Sequence, residues 1–283
     1  MKKIILLVLF SVLVFNINAQ EQAKSYYNNG QLESIGSYDQ STSDYGVKSG
    51  EWKNYYENGQ LKSIGSHERL SASGSASKTK HGEWKFYYDN GQLSEISNYS
   101  FGRKKGKSIT YYKNGQIKDS ASYKHNSSLG RTKKIGAYKL YFENGELRFN
   151  GNYADDENWS SDVKTGAWKI YYENGQLMYS GSYVADMATG EWKFYRENGQ
   201  LSSIEILKED YNHGEKKLYH TNGQIYQVHF YKESKLMETL SCFDGKGNSL
   251  EKGTLTNGNG TINEYDIDGK LINTVTYVDG WSE

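Results

Sequence analysis

The chain is 283 residues long and balances 34 Lys and Arg against 34 Asp and Glu, which leaves no net field to gather phosphate backbones and excludes nucleic acid as a partner. A single cysteine, Cys242, excludes an intramolecular disulfide framework and reads as a structural thiol. Proline is absent beside 26 tyrosines and six tryptophans, which fits a chain spent in paired strands, because proline cannot donate to a strand ladder.

At the N-terminus, Lys2-Lys3, an apolar run over 4–15 and the small residue Ala19 before a polar stretch make a secretory signal peptide over 1–19, with cleavage after Ala19. No cysteine follows the apolar run, so lipid anchoring is not expected. No later stretch approaches the length needed to span a membrane. The expectation is an exported protein (periplasm, cell surface or extracellular) with no transmembrane segment in the mature chain, residues 20–283.

From Tyr26 onward one string keeps returning. It reads Tyr55-Tyr56-Glu57-Asn58-Gly59-Gln60-Leu61 in its second copy, and its turn glycines are Gly30, Gly59, Gly91, Gly115, Gly145, Gly175, Gly199 and Gly223. Decayed copies follow around Gly247 and Gly269, making about ten units with the last two degenerate. Steps between turn glycines range from 22 to 32 residues, so the basic unit is about two dozen residues and the excess sits between units. A second glycine stands nine residues before the turn glycine, at Gly50, Gly82, Gly106, Gly136, Gly166, Gly190, Gly214 and Gly260. A chain of such units is a stack of small elements, not one core with one pocket.

Asn-Gly between apolar runs predicts a two-residue type I′ hairpin, which needs positive φ at both central residues. That closure pairs Tyr56 with Leu61, Asn54 with Ser63 and Trp52 with Gly65 on one face. It pairs Tyr55 with Lys62, Lys53 with Ile64 and Glu51 with Ser66 on the other. The first face is the expected core, built by Trp52, Trp84, Trp168, Trp192, Leu61, Leu93, Leu177 and Leu201, each tryptophan shielding its cross-strand glycine. The other face carries a ladder of Tyr55, Tyr87, Tyr111, Tyr141, Tyr171, Tyr195 and Tyr219. Such a ladder stabilises neighbouring hairpins and is also a candidate binding strip for a sugar or a partner protein. Longer connections are expected at 39–49, 68–81, 124–135 and 154–165, with the serine-rich stretch at 71–77 reading as flexible.

The fold class is therefore all-β: an elongated single-layer antiparallel sheet of tandem β-hairpin repeats, a solenoid-like meander. About 20 strands at about 4.8 Å each would reach roughly 95 Å.

Units such as Gly82-Glu83-Trp84-Lys85 running on to Leu93, and Gly190 to Leu201, resemble the MORN-repeat variant of the YwqK-type antitoxin family, over roughly Ser25 to Gly280, nearly the whole mature chain. The Glu-Trp pair is replaced by Lys107-Ser108 and Glu215-Lys216. The resemblance implies a binding protein, including one that neutralises a toxin by direct contact.

Catalytic chemistry is missing from the sequence. His81 and His213 occupy the same repeat position and read as repeat variation, and no histidine has metal-ligand spacing with a cysteine or carboxylate. No nucleophile elbow or phosphate-cradling glycine loop appears. The expectation is an exported, non-catalytic scaffold with no cofactor that binds a protein partner in an antitoxin- or immunity-like manner. The alternative is a glycan or cell-envelope binding module using the tyrosine ladder.

Overall fold

The computed structural model describes residues 22–38, 47–70, 77–157, 159 and 161–283. The signal-peptide assignment, the serine-rich stretch at 71–76 and most of the 39–49 connection lie outside those residues. Among the described residues there is no helix. The strands are β1 (Ala23–Tyr26), β2 (Leu32–Tyr38), β3 (Lys48–Tyr55), β4 (Leu61–Leu70), β5 (Ser77–Tyr87), β6 (Leu93–Ser100) and β7 (Arg103–Tyr111). They continue with β8 (Ile117–Asn126), β9 (Arg131–Tyr141), β10 (Leu147–Tyr153), β11 (Lys164–Tyr171), β12 (Leu177–Val184), β13 (Met187–Tyr195) and β14 (Leu201–Lys208). The last are β15 (Tyr211–Tyr219), β16 (Ile225–Lys232), β17 (Lys235–Cys242), β18 (Gly260–Tyr265), β19 (Leu271–Val278) and β20 (Trp281–Ser282).

From β1 to β17 each strand pairs antiparallel with its chain neighbour, giving one 17-stranded meander that is not closed into a barrel. At about 4.8 Å per strand it is roughly 80 Å long. The expected run of 20 strands stops at 17, because β18, β19 and β20 form a separate three-stranded sheet. The 124–135 connection is also shorter than expected: β8 runs to Asn126 and β9 begins at Arg131.

The hairpin turn differs from the type I′ expectation. Gly59 donates its N–H to the Tyr56 carbonyl (2.9 Å) and Tyr56 donates to the Gln60 carbonyl (2.8 Å), with φ +84° at Gly59 and no positive φ at Asn58. This is a type I turn over Glu57-Asn58, followed by a left-handed glycine that forms a bulge. The register shifts accordingly: Trp52–Gly65, Lys53–Ile64 and Asn54–Ser63 pair as expected, whereas Tyr55, not Tyr56, pairs with Leu61. Lys62 becomes the extra residue, and its ammonium lies 5.3 Å from the Tyr56 ring centre.

Type I′ turns do occur, on the opposite edge. Ala185-Asp186, Glu209-Asp210 and Glu233-Ser234 all have positive φ at both residues. They join Val184 to Met187, Lys208 to Tyr211 and Lys232 to Lys235. Each is held by the preceding unit. Asp186 N–H donates to the Lys164 carbonyl (3.1 Å), and Asp186 Oδ1 accepts from the Lys164 N–H (2.7 Å). Asp210 repeats both bonds on Ala188.

The second glycine of each unit has its own task. Between hairpins the ladder skips two residues on the incoming strand: Ser180 pairs with Lys193 but Ser182 with Thr189, so Gly190-Glu191-Trp192 opposes Gly181 alone. Gly190 takes φ +73° to make this bulge. Pocket-lining residues from beyond the bulge, including Tyr38, Lys48, His67 and Lys80, gather around the tryptophans. A single layer thereby buries Trp52 and Trp84 to 1% exposure without a second sheet.

The C-terminal end is closed differently. Leu236 of β17, Leu255 and Ile262 form a small buried cluster with Tyr231 and Tyr277 packed on it. Leu236 N–H donates to the Gly280 carbonyl (3.1 Å) and Gly258 N–H to the Met237 carbonyl (3.0 Å). The outer edge of β17 is therefore partly spoken for, which removes a template for further strand addition.

Candidate functional site

The tryptophan face is built from joints between units. Trp52 pairs across its hairpin with Gly65, yet its ring lies on Gly36 of the preceding unit, where an added Cβ would sit 2.3 Å from the ring. Trp84 covers Gly65, Trp168 covers Gly151 and Trp192 covers Gly181 in the same way. The expected shielding of a cross-strand glycine within one hairpin is thus a contact between hairpins. The indole N–H groups of Trp52 and Trp84 donate to the Ser37 and Ser66 carbonyls, both at 3.0 Å. Those of Trp168 and Trp192 are buried without a partner. Where tryptophan is lost, its mate changes with it. Ser108 meets Ser97 (Oγ···Oγ 2.6 Å), and Lys216 meets Glu205 (2.9 Å).

The second tyrosine of each motif also ties units together. Tyr56 Oη donates to the Tyr87 carbonyl at 2.8 Å, and Tyr27, Tyr88, Tyr112 and Tyr172 do the same to Tyr55, Tyr111, Tyr141 and Tyr195. Arg196 and His220 take over this role toward Tyr219 and Phe243. The turn asparagine adds a parallel bond, as from Asn58 Nδ2 to the Asp89 carbonyl (2.8 Å).

On the opposite face, Tyr55, Tyr87, Tyr111, Tyr141, Tyr171, Tyr195 and Tyr219 are all half-buried. Equivalent residues in successive hairpins are two strands, about 9.6 Å, apart, which is beyond ring-to-ring contact. Their row is shared with Glu–Lys rungs such as Glu51–Lys53 (3.4 Å) and Glu191–Lys193 (3.1 Å). Leu61, Leu93, Leu177 and Leu201 are likewise half-buried, while Trp168 and Trp192 are buried, slightly less completely than the first two tryptophans. The turn glycines Gly59, Gly91, Gly115, Gly145, Gly175, Gly199 and Gly223 all sit in the left-handed region.

Three grooves open on the tryptophan face. One of about 460 Å³, lined by Tyr56, Phe86, Glu95, Thr110 and Asp119 among others, takes in no lysine of the row described below, and the other two do. Of those two, the first, about 620 Å³, is lined by Tyr38, Lys48, Trp52, His67, Lys80 and Trp84 among others. The second, about 210 Å³, is lined by Tyr138, Tyr153, Lys164, Trp168, Tyr179 and Tyr183 among others. Between them lies the unit whose joint is Ser97–Ser108. A row of lysines eleven residues before the turn glycines (Lys48, Lys80, Lys104, Lys134 and Lys164) runs past both grooves. Sequence reading passed over this row, although its fixed offset was visible in the repeats.

The lysines are not equivalent. Lys104 is paired with Glu95 (3.0 Å) and Lys134 with Asp162 (3.1 Å). Lys80 instead sits 4.9, 4.4 and 5.1 Å from the ring centres of Trp84, Phe86 and Tyr99. Lys164 sits 4.7 Å from Tyr183 and 5.6 Å from Trp168. Burial pushes the Lys80 pKa down, opposed by Glu95 and reinforced by Lys104. Burial, then Lys48 and Lys80, lowers His67 to about 4, so the imidazole between the two tryptophans is neutral at pH 7. Burial raises the tyrosines beside the row, Tyr123 to about 12.

Among the described residues no group of three or more His, Cys, Asp or Glu side chains is placed to hold a metal, and no helix is long and apolar enough to cross a membrane.

Stacked hairpins joined by recurring residue pairs define a tandem β-hairpin repeat protein. The chain belongs to the MORN repeat variant family, whose model matches residues 22–40, 48–68, 80–100, 104–125, 134–155, 164–185, 188–208 and 212–233, more than half of the chain. No curated protein matches it. Among solved structures it is similar to the crystal structure of TcdB2-TccC3-Cdc42, at 11% identity over 92% of this chain and 18% of that one, with a TM-score of 0.15. The crystal structure of TcdB2-TccC3 gives 11% identity, 90% and 19% coverage, and a TM-score of 0.15. This chain spans less than a fifth of those chains.

Proposed function

We propose that the protein is an exported, non-catalytic scaffold that binds a protein partner along its tryptophan face. The observation that carries this reading is the pair of grooves along the lysine row, on one face of a long repeat sheet, each lined by aromatic side chains and lysine. Repeat stacks present extended surfaces of this kind to partners. The resemblance to antitoxin repeats supports an inhibitory, immunity-like contact, and the sequence pattern over 1–19 supports export.

The test is site-specific photo-crosslinking in the cells that make the protein. A crosslinker at Tyr99 or Tyr183, beside the grooves, should capture one protein species that excess unlabelled chain competes away. The same group at Tyr171 or Tyr195 should capture none. Equal capture from both faces, or capture from the first-tyrosine face alone, would sink the assignment.

A further inference from the structure

Two lysines of one row, at the same repeat position, end at the two grooves without a carboxylate. Lys80 and Lys164 contact rings only, and among the described residues no carboxylate lies within ion-pairing distance of either ammonium. Asp186 approaches Lys164, but its Oδ1 accepts the backbone N–H at 2.7 Å and serves the turn. The two lysines between them are neutralised within the sheet by Glu95 and Asp162. At the first groove His67 Nδ1 is in addition buried with no hydrogen-bond partner. The carboxylate that acts on Lys80, Glu95, is itself paired to Lys104, so an incoming anion would meet a half-buried ammonium held by ring faces, where a pairing is stronger than at the open surface.

We infer that the two grooves are halves of one site for an extended acidic polypeptide segment whose carboxylates meet Lys80 and Lys164. This rests on the reading that the tryptophan face is the binding face. Lys80 on β5 and Lys164 on β11 are six strands apart, roughly 29 Å along the sheet, which an extended chain covers in about nine residues. A polypeptide fits better than a sugar chain. A sugar would need a flat ring left open, whereas Trp52 has Gly36 against its ring and the Lys48 ammonium 4.0 Å from its ring centre. Trp168 has Gly151 on its ring and Lys164, Tyr153 and Tyr183 around it.

The experiment is fluorescence anisotropy on the full mature chain with a labelled peptide carrying two glutamate clusters about nine residues apart. A second peptide carries one cluster. The two-cluster peptide should bind roughly tenfold tighter, because its second contact is intramolecular, and should weaken with added salt. Lys80→Gln and Lys164→Gln should each weaken it about fivefold, while Lys53→Gln and Lys193→Gln on the other face should leave it unchanged. Lys80→Arg should retain binding, which separates lost charge from lost fold. Equal affinity for the two peptides, full affinity in both glutamine variants, or tighter binding of a uronic-acid oligosaccharide would overturn the proposal. If the peptides fail while crosslinks at Tyr99 and Tyr183 still capture a protein, the acidic specification falls alone. If both fail, the choice of face falls with it.

Discussion

The joints at Gly151–Trp168 and Gly181–Trp192 share almost no chemistry with those at Ser97–Ser108 and Glu205–Lys216. In the first pair an indole covers bare backbone, with no room for a Cβ. In the second, two buried hydroxyls share one hydrogen bond, or a carboxylate meets an ammonium. The backbone around all four is the same bulge. What the fold requires at a joint is therefore a matched pair, and the matching can be by shape, by hydrogen bond or by charge. A ninth unit extends the series: at the position of the covered glycine stands His229, 7% exposed and facing Thr239.

The comparison can be broken most decisively at the tryptophan joints. Trp168→Ala should cost about 3–5 kcal/mol, against about 1–3 kcal/mol for Ser108→Ala, which strands a buried hydroxyl. Urea titration followed by tryptophan fluorescence checks both. A smaller loss at Trp168 than at Ser108 would mean that the ring is not the main adhesive.

The histidine joint should show as an acid limb. Burial, then Lys216, pushes His229 from its ordinary value of 6.5 to about 4. The unfolded chain therefore takes up this proton first, and its stabilising effect is complete above pH 6.5 and drains away as pH falls toward 4. His229→Gln should flatten the loss between pH 7 and pH 4 by about 2–3 kcal/mol, read as Tm against pH. What remains of the limb is expected to come from His67. A superimposable profile in the variant would remove the histidine from the series.

The charged joint gives the smallest and sharpest effect. Glu205→Lys should cost about 1–2 kcal/mol by facing two lysines across a half-buried gap, and adding Lys216→Glu should recover most of it. Additive losses in that double-mutant cycle would mean that the pair is not coupled.

Much of the fold was legible because Asn-Gly recurs at one offset from its apolar neighbours, which placed the strands, the meander and the two faces. The turn type was not, because a type I turn with a glycine bulge uses the same dipeptide. Asn58 stays out of the left-handed region and spends its amide on the next unit. The partner of each tryptophan was not legible either. Gly65 and Gly36 flank Trp52 equally in a flat sheet, and only the bulge at Gly50 decides between them. The grooves were not legible because the residues that distinguish one groove-side position from the next are lysines and their counter-ions, which come from different units and meet only in the folded sheet.

Every bond from a second tyrosine reaches forward to the next unit, never back. The stack consequently has a polarity, like a row of identical hooks and eyes. A unit could be removed or duplicated in frame and each remaining hook would still meet an eye. Length is then an adjustable property of this architecture wherever the joints brought together match, as among the tryptophan–glycine units, and reach along a partner can change there by whole units.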